Sequence, residues 1–180
     1  MHVVLLQPAD AAPYRALMLQ AYELAADAFT STAEERAAEP ESWWIRRIAD
    51  PQGMTAAFGA FEAEQLIGTV ALEFSAKPKT RHKALLIGMY VAPAARRCGA
   101  GQALLAAALA HARGRAGTLM LTLTVTEGNE AAIRLYRAAG FEAFGTEPLA
   151  ILTPGGFRGK VHMGLRLAAA DGAPWLPSTA

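Results

Sequence analysis

The sequence is poor in cysteine, in net charge and in long apolar runs. A single cysteine, Cys98, among 180 residues excludes an internal disulfide and fits a reducing compartment. The 17 Lys and Arg residues nearly balance the 16 Asp and Glu residues, so composition does not support nucleic acid or a membrane surface as a partner. No apolar stretch approaches the ~18 residues of a membrane span, and the amino-terminal MHVVLLQPAD lacks the basic segment of a signal peptide. These absences predict a cytoplasmic protein.

Hydrophobic residues make up 53% of the chain, which is enough to bury a core. A chain of 180 residues is within the usual size of one domain, and no repeat or linker divides it. We expect a single domain over residues 1–167. The remaining residues, 168–180, form a C-terminal tail, because AAADGAPWLPSTA shows no hydrophobic periodicity.

Periodicity and capping signals predict a mixture of strands and helices. Apolar runs predict strands at residues 3–6, 54–61, 65–74, 84–91, 118–125, 141–144 and 161–167. Helices are expected to begin after Asp10, Thr32, Gly101 and Asn129. The capping box at Thr32 predicts one helix that carries Trp43 and Trp44 and continues to Ile48.

The stretch AARRCGAGQALLAAALAHAR, residues 94–113, places two arginines and two glycines at the entrance of an alanine-rich helix. The first turn of a helix has backbone N–H groups without partners, at the positive end of the helix dipole. Glycine has no Cβ, so an anion can approach the backbone at Gly99 and Gly101. Arg96 and Arg97 add full positive charges. The pattern indicates a pyrophosphate site; alternatively, the glycines only permit a tight turn and the arginines are solvated.

Two better-known phosphate loops do not fit this stretch. The Walker pattern requires Gly-Lys followed by Ser or Thr, whereas Gln102 and Ala103 follow Gly101 here. The dinucleotide fingerprint requires a third glycine at the position of Leu104. Both are excluded.

A second motif, NEAAIRLYRAAGF at residues 129–141, begins 28 positions after Gly101. The two motifs together resemble those of the GCN5-related N-acetyltransferase (GNAT) family, which are Arg/Gln-x-x-Gly-x-Gly/Ala and Asn-x-x-Ala-x-x-Leu-Tyr-x-x-x-Gly-Phe. The first is matched by Arg96, Gly99 and Gly101. The second is matched by Asn129, Ala132, Leu135, Tyr136, Gly140 and Phe141. The resemblance covers residues 3–167. It implies an α/β (α+β) fold with a mixed, mostly antiparallel sheet flanked by helices, in which two central parallel strands splay apart.

The resemblance also implies acetyl-CoA as co-substrate. The residues that it assigns to acetyl-CoA binding are Met89, Tyr90, Val91, Arg96, Arg97, Cys98, Gly99, Ala100, Gly101, Gln102, Asn129 and Tyr136. Backbone amides of residues 97–101 would hold the pyrophosphate, with help from Gln102. The strand edge at residues 89–91 would pair with the pantetheine amides. Asn129 would bond the pantetheine arm.

Tyr136 is the predicted catalytic residue, close to the sulfur of the thioester. A departing thiolate needs a proton, and a phenol with a pKa of about 10 is protonated at neutral pH, so it can assist a leaving group resembling a thiol of pKa about 8.5. The alternative is an ordinary core tyrosine. The resemblance favours the catalytic assignment.

No residue is assigned as the general base that deprotonates the amine. The strand ALLIGMYV before the glycine loop has no acid. Glu73 and Glu127 could substitute through water, although either could equally be a solvated surface residue. A nucleophilic role for Cys98 is disfavoured, since no His–Asp arrangement can be argued from the sequence.

The sequence therefore predicts an N-acetyltransferase that moves an acetyl group to a primary amine by direct attack. The acceptor is a small molecule or a peptide. The resemblance implies that the early helices wall the acceptor side, with Tyr22, Phe29 and one of the two tryptophans Trp43 and Trp44; at least one tryptophan belongs to the core. The alternative is a catalytically silent CoA-binding sensor or scaffold. The four histidines lack metal-ligand spacing, so no metal is expected. A homodimer is possible from the habit of the family.

Overall fold

The computed structural model describes residues 1–167, and the predicted tail at 168–180 lies outside the described residues. Its strands are β1 (His2–Leu5), β2 (Thr55–Glu62), β3 (Gln65–Phe74), β4 (Lys83–Val91), β5 (Met120–Thr126), β6 (Glu142–Thr153) and β7 (Gly156–Arg166). Its α-helices are α1 (Ala11–Leu24), α2 (Ala33–Ala37), α3 (Glu41–Ile48), α4 (Ala100–Gly114) and α5 (Glu130–Ala138). Short 3₁₀ turns lie at Pro8–Asp10, Ala26–Ala28 and Pro93–Ala95.

The strands form one sheet in the order β1-β2-β3-β4-β5-β7-β6. Neighbouring strands are antiparallel except for the central pair β4 and β5, which is parallel. A parallel pair needs a crossover connection, and here α4 supplies it. The predicted mixed, mostly antiparallel sheet is confirmed.

Each face of the sheet has its own apolar core. Leu104 and Ala108 of α4 are buried in the cluster on one face, whereas Tyr14 and Met18 of α1 are buried in the cluster on the other. The middle of β3 is buried on both sides, as expected for a strand covered by helices on both faces. Helices therefore flank a sheet whose centre is sealed from water.

The centre of the sheet opens where β4 and β5 diverge. These strands pair only at their beginnings, where Lys83–Leu85 lie beside Met120–Thr122. Further along β4, Gly88 and Met89 together face the single residue Val70 of β3, which is a β-bulge. Gly88 has a φ of +61°, a conformation that favours glycine. The bulge bends β4 and leaves its final residues without a partner strand on the β5 side.

The predicted helix from Thr32 to Ile48 is wrong. The capping box itself is present, since Thr32 Oγ1 accepts from the Glu35 backbone N–H and Glu35 Oε2 accepts from the Thr32 N–H. However, α2 ends at Ala37, and α3 begins only after Pro40. Proline disfavours the helical conformation in the residue before it, so the two helices cannot be continuous.

The last two strands are much longer than their predicted spans. The structure extends them into a hairpin of 12 and 11 residues that turns at residues 154 and 155. Most of β6 is exposed, so its sequence lacks the apolar alternation from which a strand is predicted.

No helix within residues 1–167 combines the length and apolar character needed to cross a bilayer.

Candidate functional site

The divergence of β4 from β5 opens a cleft of about 700 Å³ between the end of β4, the first turn of α4 and helix α5. This volume is typical of a small-molecule site. Its lining includes ten of the predicted binding residues, namely Met89, Tyr90, Val91, Arg96, Arg97, Gly99, Ala100, Gly101, Gln102 and Asn129. Cys98 and Tyr136 do not line it.

The turn before α4 has an unusual backbone. Arg97 and Gly99 have positive φ angles, of 65° and 84°. The Arg96 N–H donates to the Pro93 carbonyl at 3.3 Å, and the next N–H with a partner is that of Ala103, which donates to the Gly99 carbonyl at 3.0 Å. Within residues 1–167, the N–H groups of residues 97–102 donate to no protein acceptor. Six successive donors at the positive end of a helix dipole form an anion-binding arrangement.

Two side chains of this turn are held by backbone carbonyls. Arg96 Nε donates to the Val91 carbonyl at 3.2 Å, so the arginine folds back over the end of β4. The Cys98 thiol donates to the Ala95 carbonyl at 2.8 Å. Cys98 is exposed and does not line the cleft. It can contribute its backbone N–H to the turn.

Asn129 is the N-cap of α5, as predicted. Its side-chain oxygen accepts from the Ala132 N–H at 3.2 Å, which satisfies one of the unpartnered donors of the first turn. The residue also lines the cleft. The cap fixes the side chain of Asn129 at the mouth of the opening between β4 and β5.

A second cavity of about 210 Å³, here called the inner pocket, adjoins the cleft. The two cavities share five lining residues: Ala28, Phe29, Met89, Asn129 and Ala132. The inner pocket is bounded by the middle of β4, the end of β5, helix α5 and the segment after α1. A molecule in the cleft and another in the inner pocket would meet at the shared residues.

Tyr136 lines the inner pocket. Only 5% of the residue is exposed, and its ring packs edge-on against Phe141 with centroids 5.7 Å apart. Burial raises the pKa of the Tyr136 phenol well above its ordinary value, because the charged form loses its hydration. The hydroxyl therefore stays protonated at neutral pH and can act as a proton donor.

The aromatic residues expected around an acceptor separate into two groups. Tyr22 and Phe29 line the inner pocket and contact each other, with ring centroids 4.9 Å apart. Trp44 is 1% exposed and belongs to the core. Trp43 contacts Trp44 edge-on and lies behind the pocket, against two arginines.

Neither glutamate considered as a general base lines the inner pocket. Glu73 is paired with Arg47, with its Oε1 3.2 Å from Nη1. Glu127 Oε2 accepts from the Gly159 N–H at 2.9 Å, and this bond fastens the β6–β7 hairpin to the end of β5. Both carboxylates have structural partners.

Sequence reasoning missed three basic residues of the inner pocket: Arg36, Arg47 and Lys160. The two arginines are on helices whose boundaries were predicted incorrectly. Lys160 lies one residue before the predicted strand at 161–167, and its burial becomes apparent only when that strand is extended to Gly156. Within residues 1–167, no three His, Cys, Asp or Glu side chains are grouped closely enough to hold a metal ion.

A family model described as the acetyltransferase (GNAT) family matches residues 18–141. No curated protein sequence gives a significant match.

Solved structures share the fold over nearly the whole chain. A ribosomal-protein-alanine N-acetyltransferase from Brucella melitensis is 26% identical, with a TM-score of 0.76, covering 93% of this chain and all of its own. A putative acetyltransferase from Salmonella typhimurium, solved with its cofactor acetyl-CoA, is 21% identical, with a TM-score of 0.80 and coverage of 100% and 99%. A GNAT acetyltransferase from Streptococcus pneumoniae is 23% identical, with a TM-score of 0.77 and coverage of 92% and 98%.

Proposed function

Since the chain belongs to the acetyltransferase (GNAT) family, we propose that it transfers the acetyl group of acetyl-CoA to a primary amine by direct attack. The observation that carries this proposal is the row of six unpartnered N–H groups, residues 97–102, five of which belong to residues that line a cleft beside an unpaired strand edge. A diphosphate needs several convergent donors, and an extended amide-containing arm can hydrogen bond to a free strand edge. This cleft offers unpartnered donors for the first requirement and a strand edge for the second.

The residues present fit acetyl-CoA along the length of the cleft. Backbone amides of residues 97–101, with Gln102, would bind the pyrophosphate, and Arg96 and Arg97 would add positive charge. The strand edge at residues 89–91 would hold the pantetheine amides, and Asn129 would bond the same arm. Acetyl-CoA supplies a carbonyl activated as a thioester. This orientation brings the acyl end of the donor to the residues that the cleft shares with the inner pocket.

Tyr136 is proposed to give its phenolic proton to the CoA thiolate as the carbon–sulfur bond breaks. The amine nitrogen forms the new bond to the carbonyl carbon and releases its proton to water, and the Tyr136 phenolate regains a proton from water before the next turnover. Desolvation keeps the buried phenol protonated over the working pH range, so its proton is present when the thiolate leaves. The acceptor amine would occupy the inner pocket.

Thiol release on addition of acetyl-CoA and a panel of amines tests this function. We expect release that depends on both the enzyme and an amine, and that falls in Tyr136→Phe. The panel should contain a peptide that begins with alanine, since the Brucella relative is named for ribosomal protein alanine. Tight CoA binding without amine-dependent thiol release would favour a CoA-binding sensor or scaffold instead.

A homodimer through the β6–β7 hairpin is proposed from its exposed apolar residues. Phe144, Leu149, Leu152 and Phe157 are each 61–70% exposed, on the hairpin that forms one end of the sheet. Exposed apolar groups mark interaction surfaces where they form a patch, and Leu152 and Phe157 are paired across this hairpin. Light scattering should give twice the chain mass, and Leu152→Ser should lower it. A monomer at all concentrations would contradict the proposal.

We also propose a cytoplasmic location, because the single cysteine fits a reducing compartment.

A further inference from the structure

The inner pocket is lined by positive charge and by no carboxylate. Arg36 of α2, Arg47 of α3 and Lys160 of β7 contribute to its wall, which contains no Asp or Glu from the described part of the chain. A pocket for a polyamine or another polycationic acceptor would need acidic residues to balance the ligand's charge. The observed wall has the opposite sign.

The two guanidinium groups are fixed in place by Trp43. The Arg36 Cζ lies 4.6 Å from the centroid of the Trp43 ring, and the Arg47 Cζ lies 5.2 Å from it. These are cation–π distances. One aromatic residue therefore holds both arginines at the pocket and limits the entropy that they lose when a ligand binds.

Both arginines keep donors for a ligand. Arg36 donates to Ser31 Oγ at 2.7 Å and lies 3.5 Å from Glu39 Oε1, while Arg47 is paired with Glu73. The carboxylates of these pairs are outside the pocket wall. Since a guanidinium has five N–H donors, these contacts occupy only part of each group.

Lys160 adds a third cation on the side of β7. The residue is 6% exposed, and its Nζ donates to the Ala28 carbonyl at 3.3 Å. Burial lowers its pKa, and the charge of Glu147 acts against that effect. An anion in the inner pocket would offset the desolvation of the ammonium.

The inner pocket of about 210 Å³ is below the ~300–1,000 Å³ of pockets for drug-sized ligands, so it has room for an acceptor group as small as an amino acid. Tyr22, Phe29, Leu86 and Met89 supply apolar surface in the same pocket. Resting on the function proposed above, we infer that the acceptor is a free amino acid, whose carboxylate is bound by Arg36 and Arg47 with Lys160, while its α-amine faces the thioester.

Matched acid and amide pairs test this inference directly. L-leucine and L-phenylalanine are compared with L-leucinamide and L-phenylalaninamide, which keep the amine and the side chain but lose the negative charge. We expect kcat/KM for at least one acid to exceed that of its amide at least tenfold, as the loss of one charge-assisted hydrogen bond would give. Spermidine and an alanine-initiated peptide amide should be poor acceptors.

Variants of the basic residues test whether the inner pocket causes the preference for the acid over the amide. Arg47→Gln should raise KM for the acid about tenfold and leave KM for the amide unchanged. The ratio of kcat/KM between acid and amide should therefore fall toward one. Arg36→Lys keeps the charge without the planar pair of donors and should give a smaller loss. The matched control is Arg46→Gln, because Arg46 neighbours Arg47 on α3 but is exposed and outside the pocket; its ratio should stay at the wild-type value.

A binding measurement separates this inference from the proposed function. Calorimetric titration of L-leucine and L-phenylalanine into the CoA-loaded enzyme should show binding that the amides lack, whether or not transfer occurs. If the amides or spermidine are acetylated as efficiently as the acids, the inference is overturned, but the acetyltransferase function still stands. Failure of both acids to bind and to react would also overturn it. Absence of thiol release with every amine, despite binding of the acids, would overturn only the transferase function.

Discussion

Arg97 and Gly99, two positions apart, both adopt left-handed backbone conformations, with φ angles of 65° and 84°. The backbone thereby turns so that the N–H groups of residues 97–102 remain outside any protein hydrogen bond within residues 1–167. Alternation of left-handed and ordinary residues forms a concave backbone surface that binds anions. Only Gly99 adopts this conformation without strain, since a left-handed arginine costs ~1 kcal/mol.

Gly99→Ala should weaken CoA binding and reduce stability by about 1 kcal/mol. A Cβ at Gly99 meets no atom within 4 Å, so the cost is conformational rather than steric. Gly114→Ala is the matched control, because its Cβ also meets nothing within 4 Å and its φ is not positive. Calorimetry of CoA binding and thermal melts measure both effects. Equal behaviour of the two variants would refute the role of the left-handed turn.

Asn129 has two separable roles, as the cap of α5 and as a proposed ligand of the pantetheine arm. Asn129→Ala should lose about 1 kcal/mol of stability and raise the KM for acetyl-CoA. Asn129→Asp keeps the capping oxygen but loses the amide donors, so it should retain stability and still raise that KM. If the KM of the Asp variant matches that of the wild type, the side chain acts only as a cap.

Tyr136→Phe should lower kcat at least tenfold, since general acid catalysis contributes about 10²–10⁴-fold, and should leave the acetyl-CoA KM nearly unchanged. Because burial raises the pKa of the phenol, Tyr136 stays protonated as the pH rises from 7 to about 9. The wild-type rate should therefore rise as the acceptor amine deprotonates and should not fall over this range. A kcat–pH profile of both proteins measures this, and a phenylalanine variant with full kcat would remove Tyr136 from the mechanism.

Glu127 should be structural and not the general base. Glu127→Ala removes the acceptor of the Gly159 N–H and should lower the free energy of unfolding by about 1 kcal/mol. Glu127→Gln retains an acceptor oxygen and should recover most of that stability. Neither variant should change kcat or its dependence on pH. A loss of rate in both variants, beyond their difference in stability, would reinstate Glu127 as the base.

The sequence predicted the centre of the fold better than its periphery. Strands β2 to β5 are strongly apolar and β-branched or aromatic, so periodicity locates them within a residue or two. The exposed strand β6 carries no such pattern. The break between α2 and α3 depends on Pro40, which the apolar spacing around Trp43 and Trp44 conceals.

The two cavities also differ in how far the sequence predicts them. Ten of the 18 residues that line the cleft lie within residues 89–102, so a local motif brings more than half of the lining together. The others come from the end of α1, the segment after it, and α5 with its cap. The inner pocket combines Arg36, Arg47 and Lys160 from three elements. Their proximity arises from packing across the sheet opening. Spacing along the chain gives no information about such a cluster.

The most direct test of the account is a crystal structure of the protein with coenzyme A. We expect diphosphate oxygens within about 3 Å of backbone nitrogens in residues 97–102, with the pantetheine arm running along residues 89–91 toward Tyr136. A diphosphate bound elsewhere, or a turn whose carbonyl oxygens face the ligand, would contradict it.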